Sequence, residues 1–117
     1  MNKFKELKVW QEAIELAAEI YSITEQFPSK ETYGLVSQIN RSAISIASNI
    51  AEGAGRNSNK EFNQFLGIAL GSLYELETQL IIGNRIGYLT SETNEQLLTR
   101  ITTISKMLTR LKQSLLK

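Results

Sequence analysis

Leu97, Ile101, Ile104, Leu108, Leu111 and Leu115 stand at alternating steps of four and three. Only a helix brings such a series onto one side of a chain. Two other segments carry the same period: Leu35, Ile39, Ala43, Ile46 and Ile50, then Phe62, Leu66, Ala69, Leu73, Leu76 and Leu80. A fourth, near the start, carries two stripes side by side. Leu7, Trp10, Ile14, Ala17 and Tyr21 form one, and Ala13, Leu16, Ile20, Ile23 and Phe27 the other. Two stripes make a face wider than one bundle core needs: either the helix is simply well buried, or its outer stripe meets another subunit.

Punctuation separates the four segments. Pro28, the only proline, draws Phe27 out of helical geometry and cannot continue the hydrogen-bond ladder. Gly53 is expected in the left-handed position that closes the second helix, with Gly55 permitting a tight turn. Ser58 and Glu61 have capping-box spacing for the third helix. Gly87 is expected to end that helix, and Thr90 or Ser91 to cap the fourth. The expected helices are Leu7 to about Gln26, Thr32–Glu52, Asn59 to about Ile86, and a last one beyond Thr90. Short connections make neighbours antiparallel, so the expected fold is all-α, an up-down-up-down antiparallel four-helix bundle forming one domain over residues 1–117.

Composition excludes more than it suggests. The net charge of +1 points to neither nucleic acid nor membrane, although residues 89–117 hold five basic and two acidic side chains. The chain has no Cys and no His, which removes thiolate chemistry, disulfides, the commonest general base and the commonest metal ligand. Ferritin-like sites need Glu-x-x-His pairs. No cofactor or metal is therefore expected. No apolar run approaches the ~20 residues of a membrane span and no signal-peptide core opens the sequence, so no membrane is expected and the cytoplasm is the default location.

The stretch Arg41–Glu61, RSAISIASNIAEGAGRNSNKE, is unusual for a helix. Ser42, Ser45, Ser48 and Asn49 are mediocre helix formers whose short polar side chains compete for backbone groups. Arg41, Ser45, Ser48 and Glu52 fall within about 60° of one another, opposite the apolar stripe. Exposure to water accounts for such a face, but it lacks Lys, and small serines admit another backbone. A polar packing surface is the sharper expectation, with Arg41 reaching Glu52 of a neighbouring chain. The glycine turn with Arg56 offers an alternative as an anion site, though it lacks the Gly-Lys-Ser/Thr of a phosphate loop.

On the third helix Gly67, Gly71 and Glu75 follow at steps of four, and each glycine costs up to ~1 kcal/mol of propensity relative to Ala. Close approach of a neighbouring helix is the natural compensation; two tolerated glycines on a solvated face is the plainer account. On the fourth, Lys106, Arg110 and Lys117 form a basic ridge. Cations near a helix C-terminus complement its dipole without further purpose. As a nucleic-acid footprint the ridge gains strength where an oligomer repeats it. Glu52 and Glu75 are the carboxylates an acid–base enzyme would use, but nothing in the sequence gathers them around a cleft.

SAISIASNIAEGAGR, Ser42 to Arg56, closely resembles the central motif of the four-helix-bundle proteins named for 23S rRNA intervening sequences. FKELKVWQEA, FPSKETYGLVSQINRSA and IALGSLYELETQL resemble further blocks of that family, in order, from Phe4 to about Leu89. The last helix is similar only in pattern. The resemblance implies a four-helix bundle that forms ring-like pentamers. It also implies kinship with the accessory protein of diversity-generating retroelements, a pentamer that binds nucleic acid and a reverse transcriptase. Some family members are encoded inside 23S rRNA genes; the name records gene location. Matching the central motif, Arg41, Ser45, Asn49, Glu52, Gly53 and Arg56 are the implied interface or binding residues. The expected function is a non-enzymatic, self-assembling bundle binding RNA or DNA through a basic surface. The alternative is a protein-interaction adaptor with no nucleic-acid affinity.

Overall fold

The structure, a computed structural model, describes residues 3–116. Lys117, the last cation of the expected ridge, lies outside the described residues. Four helices, α1 (Lys8–Thr24), α2 (Leu35–Ala54), α3 (Asn59–Arg85) and α4 (Ser91–Ser114), follow a 3-10 turn at Phe4–Glu6, and a second such turn, Ser29–Glu31, links α1 to α2. There is no strand among the described residues. Each helix packs on the next and α1 closes on α4, giving a bundle 44 × 23 × 20 Å. Two hydrogen-bonded pairs fix the antiparallel sense of α3 and α4: Tyr74 meets Ser105, whereas Asn63, a few turns earlier, meets Lys112.

The inner stripe of α1 faces the core, with Ala13, Leu16, Ile20 and Phe27 buried. Val9 and Thr24 are buried as well, outside both expected stripes. The outer stripe is half-covered at Leu7, Trp10 and Ala17, while Ile14 and Tyr21 are 42% and 43% exposed. The stripes of α2, α3 and α4 meet these in one apolar core whose members include Ile46, Leu73 and Ile104, all fully enclosed. Removing such area from water at about 25 cal/mol per Å² is the main stabilising contribution.

Helix ends follow the local chemistry with two corrections, both at α2. Ser58 Oγ accepts the Glu61 amide at 3.2 Å, and Thr90 Oγ1 accepts the Thr93 amide at 3.1 Å. Gly87 has φ +87°; the Gly87 and Tyr88 amides donate to Asn84 and Gly83 oxygens, a Schellman closure of α3. Gly53 does no such thing. It lies buried inside α2, which runs on to Ala54, and its φ is not positive. A Cβ there would stand 2.6 Å from Phe65 Cβ and 2.9 Å from Phe62 Cδ1. Glycine is required because α2 and α3 approach too closely for any side chain. Gly55 caps α2 in a right-handed conformation, φ −85°. At the other end α2 starts at Leu35 rather than Thr32, since the Ser29–Glu31 turn occupies the preceding residues.

The two loops at one end of the bundle are tied together. Glu31 Oε2 accepts the Tyr88 hydroxyl at 2.7 Å, Glu31 Oε1 accepts the Leu35 amide at 3.3 Å, and the Phe27 and Tyr88 rings lie 5.4 Å apart. The Tyr88 hydrogen bond, then the Leu35 amide, hold the Glu31 carboxyl below its ordinary value, and the Glu31 carboxylate raises the Tyr88 phenol. A depressed folded-state carboxyl stabilises above its ordinary value of 4.5 and loses that contribution as pH falls through the folded value. A raised phenol stabilises fully below 10.0 and loses its contribution as pH rises through the folded value. Tyr88→Phe is therefore expected to lower Tm at neutral pH and to flatten the loss of Tm on both flanks. Melts from pH 3 to 11 check this, and unchanged acid and alkaline slopes would contradict it.

On length and composition alone, α3 is apolar enough to cross a membrane, contrary to the sequence expectation. Its inner face builds the core against α2. Yet only 39% of its most apolar 18-residue window is buried. The apolar surplus lies outside.

Candidate functional site

A groove of about 600 Å³ runs between α1 and the start of α2, walled by Tyr21, Tyr33, Val36, Arg41 and Ile44. The 3.6-residue period of α2 places Arg41 and Ile44 on its outer face, out of phase with Ile39, Ala43, Ile46 and Ile50. Tyr33 sits just before Gly34, in the link that Pro28 and the Ser29–Glu31 turn create, and is 97% exposed. Asn40 also lines the groove, and its Oδ1 accepts the Thr24 hydroxyl at 2.9 Å, fixing α1 against α2. Arg41 is exposed and makes no ion pair among the described residues, where the pairs are Arg56–Glu52 and Arg100–Glu19. The groove thus presents aromatic and aliphatic surface around one available guanidinium.

The six residues of the central motif do not form one surface. Arg41 alone is on the rim of the groove as an open charge. Ser45 touches the groove but is half-buried, and its hydroxyl meets that of Ser72 on α3 at 2.8 Å. Asn49, also half-buried, donates to the Ser45 carbonyl at 2.8 Å and hydroxyl at 2.9 Å. This polar cluster sets the register of α2 on α3, as buried polar groups do when they find partners. Glu52 does not wait for a neighbouring chain: its Oε2 lies 2.9 Å from Arg56. With both side chains about half exposed, that pair contributes little stability. The Arg56 guanidinium also lies 4.6 Å from the Phe65 ring centroid. It is thus engaged beside a carboxylate, and with Gly53 buried the turn offers no open cation for an anion.

Lys106 and Arg110 are exposed one turn apart on α4 and carry no ion pair among the described residues. Gly71 faces outward, and a Cβ there would meet nothing within 4 Å; at Gly67 a Cβ would meet only the Lys112 amine, at 3.5 Å. No helix of the bundle uses these glycines for close approach. Ile68, Ile82 and Ile86 share the outward face of α3 at 52%, 47% and 52% exposure. Sequence reasoning missed these isoleucines because it followed the core stripe; Ile68 and Ile82, two heptads apart, were the available signal.

No group of three or more acidic side chains placed to hold a metal occurs among the described residues. Among the described residues, the two groups whose proton affinity is shifted, Glu31 and Tyr88, are bonded to each other at the loop end.

The 23S rRNA-intervening sequence protein model matches residues 5–110, nearly the whole bundle. The chain belongs to this family. The match reaches well into α4, beyond the blocks legible by motif. Among solved structures, the chain is similar to a protein of unknown function from the S23 ribosomal protein family of Bacteroides thetaiotaomicron VPI-5482. The two share 29% identity over 90% of this chain and 95% of that one, with a TM-score of 0.84. None of the curated proteins matches. The family assignment therefore carries the fold.

Proposed function

We propose that this chain is a non-enzymatic bundle that assembles with copies of itself and uses the assembled surface to bind nucleic acid. The observation that carries the reading is the placement of exposed apolar side chains. They gather in the α1–α2 groove and along the outside of α3, rather than scattering singly as on an ordinary monomer surface. Family membership agrees with it, given the ring-like pentamers implied by the resemblance.

Lys106 and Arg110 favour nucleic acid as the ligand of the assembly. The one pair of open cations on this ridge is a weak footprint, but an oligomer multiplies it around a common axis, and phosphate contacts add in the exponent of the salt dependence. Replacing both by Gln should weaken binding to a DNA or RNA fragment and reduce the log–log salt slope by about 1.5 for each engaged copy. Equal affinity and slope in the double variant would remove the ridge from the interface. Sedimentation of the purified chain, recorded at two wavelengths with and without nuclease, tests the whole reading. A multimer with nuclease-sensitive absorbance is expected. A multimer free of nucleic acid would favour the protein-interaction adaptor, and a monomer would overturn the proposal.

A further inference from the structure

Two different faces of the bundle are apolar, and each carries one charge without a partner. The α1–α2 groove is concave, with Tyr21 and Ile44 beside Arg41. The outside of α3 is a single convex helix on which Ile68, Glu75 and Ile82 repeat every seven residues. All three are exposed, and Gly71, with open space around its Cβ position, keeps the stripe low between Ile68 and Glu75. Neither Arg41 nor Glu75 makes an ion pair among the described residues.

Resting on the self-assembly reading, we infer that the α3 stripe of one copy seats in the α1–α2 groove of the next, with Glu75 of the first copy against Arg41 of the second. Shape and sign both select this arrangement. A ridge of isoleucines fits a groove in the manner of a helix docking on an apolar cleft. Pairing groove with groove would set two Arg41 side chains face to face, and pairing stripe with stripe would oppose two Glu75 carboxylates; like charges at an interface disfavour both. The remaining contact joins unlike surfaces, so every copy offers one and receives the other. Such heterologous contacts close into rings when the rotation completes a circle.

The absence of cysteine from the chain makes the test clean. Arg41→Cys and Glu75→Cys, carried on differently tagged copies and co-expressed, are expected to be joined by a short bis-maleimide linker into a mixed-tag dimer. Each variant expressed alone should stay unlinked. Links within one variant alone, or none in a sample that sediments as a multimer, would overturn the docking arrangement while leaving self-assembly standing. Arg41→Glu and Glu75→Arg are each expected to weaken assembly tenfold or more, and the double reversal to restore it. Failure of the double variant to recover would likewise overturn the pairing. A wild-type chain that sediments as a monomer would instead strike the assembly reading itself.

Discussion

Gly53→Ala should cost about 2 kcal/mol and lower Tm by roughly 8 °C, although alanine is the better helix former. Propensity alone favours the substitution by up to ~1 kcal/mol. Packing opposes it and wins: the new methyl would stand 2.6 Å from Phe65 Cβ, an atom tied to the α3 backbone, and 3.2 Å from the Phe62 carbonyl oxygen. Neither can swing aside as a flexible side-chain tip would, so α2 and α3 would have to separate at their turn. Gly71→Ala is the matched control. Its Cβ meets nothing within 4 Å, so the same exchange should stabilise the single chain by ~0.5–1 kcal/mol. Thermal melts of both variants under dissociating conditions decide the matter. Equal shifts of one sign would contradict the close approach at Gly53.

Ser45→Arg should be more damaging, by roughly 3 kcal/mol, because it places a long cation in a half-occluded seam and removes two hydrogen-bond partners. Ser45 lies where α2 meets α3, its hydroxyl 2.8 Å from that of Ser72 and 2.9 Å from the Asn49 amide. Ser45→Ala keeps the volume and should lose only about 1 kcal/mol. Circular dichroism melts measure both; a melt of Ser45→Arg like that of the wild type would mean that the seam opens at no cost. Loss of assembly in Ser45→Arg would follow from a damaged subunit, so Arg41 and Glu75, both exposed, are the positions that separate assembly from folding.

The bundle was legible because each stripe repeats for several turns, and burial of that stripe outweighs every local preference. Leu97, Ile101, Ile104 and Leu108 were placed in the core by period alone and are all buried. Caps were legible where a side chain acts on its own turn, as at Ser58 and Thr90. Gly53 was not, since a glycine near a helix end has two uses and only the distance to Phe65 chooses between them. Ser45 was misplaced for a related reason. Angular position put Ser45 with Arg41, but α3 lies close enough to the side of α2 to claim Ser45 and leave Arg41 to the groove. Glu52 and Arg56, four residues apart, had the spacing of an intrahelical pair, and the local partner takes the carboxylate. The exposed isoleucines of α3 are visible in the sequence, but their exposure is not, because it depends on which helices fail to cover them.

In solution, these apolar faces are expected to be covered by copies of the same chain. Light scattering on a sizing column, with the loaded concentration varied over two decades, tests it directly. The expected result is a mass at a fixed whole-number multiple of 13.2 kDa that does not grow with concentration, as a closed ring requires. A mass of 13.2 kDa throughout the series would contradict it.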